Sequence, residues 1–310
     1  MSARTFTIGT RGSRLATRQT EIALEALSAA HPASTFDTRK ISTSGDRSQQ
    51  SLGEIGGRGV FVIEIERALL DGEIDLAVHS LKDLPSAETD GLTVAAVLAR
   101  EDPRDVLVSR DGSPLAALPS GAAIGTGSPR RAAQLIALRG DIDVRDIRGN
   151  VDTRIRKAEE GEYEAVVLAA AGLARLGWLE RAAQIFEPEE MLPAGGQGAL
   201  ALQARSDDRE ALDLVSTVDD RETRVAVTAE RGFERRLGGG CHAAIAAYAT
   251  VGYGPSPERA PLRLRCLVGG KGRLLSGEME SPAGDADSLG VRLAEYLIAQ
   301  GAEALLEASP

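Results

Sequence analysis

Four stretches of this 310-residue sequence carry residue types that could do chemistry. Two are turns, Arg11-Gly12-Ser13-Arg14 and Gly125-Thr126-Gly127-Ser128-Pro129-Arg130-Arg131, where an apolar run gives way to a helical pattern. Free N–H groups at such a turn, together with the helix dipole, make an anion site. Ser128 is a natural N-cap and Pro129 a natural first helical residue. Arg148, Arg154 and Arg175 fall near other strand ends. Arginine pairs bidentately with carboxylate, so a ligand with several carboxylates or phosphates is expected. Arg156 is read instead as solvated surface charge.

The segment His79-Ser80-Leu81-Lys82-Asp83 follows a buried strand, a usual position for functional groups in α/β folds. A carboxylate there could stabilise a cation or move protons; it could equally bind loop amides. Its His, Ser and Asp do not read as a hydrolase triad, whose members converge from separate elements.

The fourth stretch is Gly238-Gly239-Gly240-Cys241-His242. Cys241 reads either as a small buried hydrophobe or as a nucleophile with His242 as base, and the glycines leave room for a ligand. Side chains of neighbouring residues in an extended chain point apart, which weighs against a Cys–His dyad. Cys266, inside a strand pattern, is expected in the core. Three histidines and two scattered cysteines do not make a zinc site.

The elements that must position these groups follow an alternating rhythm. Strands are predicted at Thr5–Thr10, Phe36–Ile41 and Ile74–His79, with helices at Ser13–Ala30 and Val60–Leu70. Leu15, Ile22, Leu24 and Leu27 are the core candidates of the first helix, and Ser42–Gly59 reads as a long mobile loop. This order implies largely parallel sheets. Ile8-Gly9-Thr10 resembles Ile124-Gly125-Thr126, and Gly72-Glu73-Ile74-Asp75-Leu76-Ala77-Val78 resembles Gly161-Glu162-Tyr163-Glu164-Ala165-Val166-Val167. Pairs in the same order suggest two similar α/β domains facing one another across a hinge, with Ala199–Gln203 after a second crossing. A helix at Arg221–Arg236, strands at Ala244–Val251, Leu262–Leu267 and Arg273–Glu278, and a helix from Asp287 to Ala299 suggest a small third α+β domain.

Composition narrows the classes. A net charge of −10 argues against general nucleic-acid binding. No apolar run approaches the ~20 residues of a membrane helix. The start Met1–Phe6 lacks the apolar core of a signal peptide, so a cytoplasmic protein is expected. Positive charge is nearly all arginine; the lysines are Lys40, Lys82, Lys157 and Lys271. No apolar seam is evident, which makes a monomer the default.

Taken together and in order, several stretches resemble the porphobilinogen deaminase (hydroxymethylbilane synthase) family along essentially the whole chain. They are Arg11-Gly12-Ser13, Gly56-Gly57-Arg58-Gly59-Val60-Phe61, Ala77–Asp83, Glu101–Asp105, Gly125–Arg131, Leu192–Ala199 and Gly239-Gly240-Cys241. The resemblance implies an α/β fold of two similar doubly wound domains like type II periplasmic binding proteins, plus a small α+β C-terminal domain. The implied limits are 1–98 with 199–217, 103–193, and 220–310. It implies a dipyrromethane cofactor held by Cys241 through a thioether. Four porphobilinogen molecules are condensed onto it with loss of ammonia, and hydroxymethylbilane is freed and passed to uroporphyrinogen-III synthase. Asp83 matches the catalytic aspartate, which favours the cationic azafulvene formed as ammonia leaves. Lys82, Ser80, Thr126, Ser128, Arg130, Arg131 and Arg154 match cofactor contacts, and Arg11, Ser13, Arg148 and Arg175 substrate contacts; no metal is implied. Glu54 stands where the family commonly has a basic residue, His242-Ala243-Ala244 replaces a Gln-containing run with a proline, and Arg14 replaces a frequent proline.

Overall fold

The computed structural model describes residues 4–43, 62–238, 243–270 and 272–306. The expected loop Ser42–Gly59 falls almost wholly outside them, as do Glu54, Cys241 and His242. In chain order the elements begin β1 (Thr5–Thr10), α1 (Arg14–Ala30), β2 (Thr35–Lys40), α2 (Ile63–Leu70), β3 (Leu76–Ser80) and β4 (Leu92–Val97). Then come β5 (Asp105–Ser109), β6 (Ala123–Gly125), α3 (Pro129–Leu138), β7 (Asp143–Arg145), α4 (Val151–Glu159), β8 (Ala165–Ala169), α5 (Ala170–Leu176) and β9 (Gln184–Phe186). The chain continues through β10 (Leu200–Arg205), α6 (Arg209–Ser216), α7 (Arg221–Leu237), β11 (Ala244–Val251), β12 (Pro261–Gly270), β13 (Arg273–Pro282), α8 (Ala286–Ala299) and α9 (Ala302–Leu306). It packs as two units, Met1–Glu101 with Ala199–Arg224, and Asp102–Gly198 with Val225–Pro310.

The first unit is a five-stranded sheet in the order β2-β1-β3-β10-β4. β1 runs parallel to β2 and β3, while β10 is antiparallel to both β3 and β4. Phe6, Ile8, Leu76, Val78, Leu200 and Leu202 bury one face against α1 and α6. Leu27 is the one core candidate of α1 that is fully buried; Ile22 and Leu24 are half-buried against the cluster, and Leu15 is also half-buried. Gln19, Thr20 and Ala23 share the buried face. The opposite face of the sheet packs on Ile65, Ala68 and Leu69 of α2.

The second unit contains a sheet of the same design, β7-β6-β8-β5-β9, in which β5 is the antiparallel strand. The expectation of largely parallel sheets is therefore right for four strands in each and wrong for β10 and β5. Each antiparallel strand directly follows a passage of the chain from one unit to the other, which the local rhythm of strands and helices does not reveal.

The repeated motifs land on equivalent strands, β1 with β6 and β3 with β8. A Cβ on Gly9 would lie 2.3 Å from Ile74 Cδ1, and one on Gly125 would lie 3.0 Å from Tyr163 Cδ1. Ile74 and Tyr163 occupy matching positions in the second pair of motifs, so both copies use the same glycine-to-bulky contact. Gly72 and Gly161, which open those motifs, both have left-handed backbone, with φ of 70° and 83°.

The rest of the second unit is the antiparallel meander β11-β12-β13, packed by Phe233 of α7, Leu289 and Leu293 of α8 and Leu305 of α9. Cys266 lies in this core, 1% exposed, and burial pushes its thiol well up, helped by Glu230 and Glu234. α7 and α8 cross closely, since a Cβ on Gly290 would lie 2.2 Å from Ala229 O and 2.5 Å from Phe233 N. Among the described residues no helix is long and apolar enough to cross a membrane.

Candidate functional site

In the first unit the expected residues gather at the carboxyl ends of two adjacent strands. β1 and β3 pair through Gly9 and Ala77, so the turn after each lies beside the other. Ser13 caps α1, its side chain accepting from Ala16 N at 3.2 Å, and Arg11 is half-buried just before it. Ser80 ends β3, and its Oγ accepts from Gln19 Nε2 at 2.9 Å. Gln19 of α1 was not foreseen; a long polar residue on the buried helical face is the mark it leaves in the sequence. Lys82 and Asp83 then stand exposed on a single 3-10 turn, Leu81–Asp83, closed by Leu84 N donating to Leu81 O at 3.1 Å. Two charged groups are thus held on a short turn tied to a buried strand.

His79 precedes this turn and is 6% exposed. Burial pushes its imidazole down to about 4, with Arg11 adding to the fall and Gln203 opposing it. Its Nε2 and Gln203 Oε1 are buried without a hydrogen-bond partner among the described residues. Gln203 Nε2 donates to Glu66 Oε1 at 2.8 Å, and Thr89 Oγ1 donates to Glu66 Oε2 at 2.8 Å. With its imidazole held down to about 4, His79 is neutral at ordinary pH and does not serve as an acid there.

In the second unit the helix start is as the sequence predicts. Ser128 is the N-cap of α3, its side chain accepting from Arg131 N, and Pro129 is the first helical residue. Thr126 is buried, and its Oγ1 accepts from Ser128 N at 3.2 Å. Arg148, after β7, pairs with Asp146 at 3.1 Å. Arg154 on α4 donates from Nε to Gly149 O at 2.7 Å, and Arg175 on α5 donates from Nη2 to Gly198 O at 2.6 Å. Arg156 is exposed and bound to Glu160 one turn on, in keeping with a surface role.

Arg130 and Arg131 differ from the open charges that the sequence suggests. Both are buried, and both are held by Asp105, which no sequence signal singled out for this role. Two guanidiniums against one carboxylate leave this buried cluster with a net positive charge of one. Arg130 Nε is buried and meets no acceptor among the described residues. Surplus charge and an unfilled donor fit an added anionic group such as a carboxylate.

Comparison with known proteins places the chain in a family. The model of the porphobilinogen deaminase dipyromethane cofactor binding domain matches residues 6–213, and that of the porphobilinogen deaminase C-terminal domain matches 224–299. A porphobilinogen deaminase of Roseiflexus sp. (strain RS-1) is 49% identical over 304 residues, covering 97% of this chain and 98% of that protein. One from Brevibacillus brevis is 46% identical over 296 residues, covering 95% and 94%. Among solved structures, the methionine-binding protein MetQ aligns with a TM-score of 0.45 at 11% identity, over 69% of this chain and 89% of its own. Matched by both domain models and nearly half identical to full-length relatives, the chain belongs to the porphobilinogen deaminase family.

Proposed function

We propose that this protein joins four porphobilinogen molecules head to tail onto a dipyrromethane primer held by Cys241, releasing ammonia at each addition and finally hydroxymethylbilane. Family membership supports the reaction, and the Arg130–Arg131–Asp105 cluster, with its surplus positive charge and open Nε donor, is the observation that carries the reading of this chain. When bound, the cofactor supplies the nucleophilic pyrrole carbon on which the chain grows.

The chain's own residues then divide the work. Thr126, Ser128, Arg130, Arg131, Arg154, Ser80 and Lys82 bind the cofactor's acid side chains. Arg11, Ser13, Arg148 and Arg175 bind those of incoming substrate. Each porphobilinogen brings an acetate and a propionate, so the growing chain gains two negative charges per addition and needs many fixed cations. Asp83 stabilises the cationic pyrrole that substrate forms as ammonia leaves. A carboxylate fixed on a rigid turn does this without the reorganisation that water requires. Domain limits of 1–98 with 199–217, 103–193 and 220–310 separate the two sets of binding turns from the segment bearing Cys241. The protein works as a cytoplasmic monomer and passes its product to uroporphyrinogen-III synthase.

The test is the intact mass of the purified protein under denaturing conditions. Wild type should carry an adduct of two pyrrole units that is absent from Cys241→Ser. A fully folded, unmodified wild type would overturn the reading in favour of a non-catalytic anion-binding protein.

A further inference from the structure

Asp105, the first residue of β5, has no exposed surface. Its Oδ2 accepts from Arg130 Nη1 at 2.7 Å. Its Oδ1 accepts from Arg131 Nε at 3.0 Å, from Arg131 Nη2 at 2.7 Å and from Gln197 Nε2 at 2.8 Å. Each arginine has a backbone anchor as well: Arg131 Nη1 donates to Val167 O on β8 at 3.0 Å, and Arg130 Nη1, the nitrogen that also reaches Asp105, donates to Leu192 O at 2.6 Å. Gln197 Nε2 also donates to Pro103 O at 2.6 Å, and Gln197 is 1% exposed. Pro103 and Gln197 lie in the two segments by which the chain enters the second unit after Glu101 and leaves it before Ala199. One carboxylate therefore ties the first turn of α3 to both of these segments.

A buried acid bound this way is more than a neutralising charge. Burial alone would push the Asp105 carboxyl up, but Arg130 and Arg131 outweigh it and hold it well below the usual carboxylate range. It stays ionised at any working pH, so the guanidinium geometry does not change with protonation. A lone acid between two arginines could cancel only one charge, and the second charge is left for a ligand.

We propose that Asp105 and Gln197 are positioning residues for cofactor loading: they set the fork of Arg130 and Arg131 and leave it one positive charge and one open N–H to receive a cofactor carboxylate. The proposal rests on the cofactor reading above. Asp105→Asn is nearly isosteric; it removes the charge and turns one of the two accepting oxygens into a donor. Gln197→Met keeps both ion pairs and removes the donor shared by Asp105 and Pro103.

The adduct fraction is measured by intact mass in wild type and both variants, and thermal midpoints are measured in acetate and in chloride at equal ionic strength. Loading of Asp105→Asn should fall roughly tenfold or more, the loss expected when a charged hydrogen-bond partner is removed. Its midpoint should rise in acetate relative to chloride while that of wild type does not, because a free carboxylate can enter the doubly charged site. A packing role alone would lower the midpoint equally in both salts. Gln197→Met should fold and load more slowly than wild type from added porphobilinogen. Full loading of Asp105→Asn beside a loaded wild type overturns this proposal alone; if that variant does not fold, wild-type loading of Gln197→Met overturns it. A wild type without adduct overturns the cofactor reading and this proposal with it.

Discussion

His79 should make stability depend on pH in a way that one substitution removes. Its imidazole is held down to about 4 from an ordinary 6.5, chiefly by burial, with the Arg11 charge adding to the effect and Gln203 opposing it. Above about pH 6.5 the ring is neutral in both folded and unfolded chains, and it contributes no slope. As pH falls from 6.5 towards 4, the unfolded chain takes up a proton that the folded protein refuses, so stability is lost with falling pH. A tenfold change in proton affinity is worth about 1.4 kcal/mol, so the full loss is about 3 kcal/mol, complete below about pH 4. Between pH 6.5 and 4.5 it amounts to about 2 kcal/mol. His79→Gln keeps an amide in place of the ring and does not titrate. Urea unfolding of both proteins at pH 6.5 and 4.5 should show wild type losing about 2 kcal/mol more than the variant. Parallel losses in the two proteins would refute the reasoning, as would an NMR titration of the His79 ring with a midpoint near 6.5.

Two further outcomes follow from the geometry. Asp83→Ala should keep the circular dichroism spectrum and thermal midpoint of wild type and lose about 10²-fold or more in turnover; near-normal turnover would remove Asp83 from its role. Gly290→Ala should lower the urea midpoint by the equivalent of about 2 kcal/mol or more, because its methyl would meet the backbone of α7 rather than a movable side chain; an unchanged midpoint would show that the two helices separate freely.

What the sequence made legible was local. β11 at Ala244–Val251 was readable to the residue, and Ser128-Pro129 announced the start of α3 because capping is a property of adjacent residues. The Gly9/Gly125 and Gly72/Gly161 repeats were readable as pattern, and the structure supplies their cause in the Ile74 and Tyr163 contacts. The antiparallel strands were hidden, because β10 pairs with β3 across more than a hundred intervening residues. Separation along the chain also hid the partners of the site. Gln19 reaches Ser80, and Asp105 meets Arg131 and Gln197, only after two or three elements have packed. Arginine-rich turns thus showed what kind of ligand to expect, while the acids and amides that aim those arginines stayed unmarked.

The strand order also governs how the protein is made. β10 sits between β3 and β4 in the first sheet, yet it is encoded after the whole of β5 to β9. On the ribosome, the five-stranded sheet of the second unit has all its strands once Phe186 has emerged, whereas that of the first waits for Leu200–Arg205. Until then β3 and β4 present open edges, the hazard that invites mispairing with another nascent chain. Of the two five-stranded sheets, the one whose first strands are translated first is completed last.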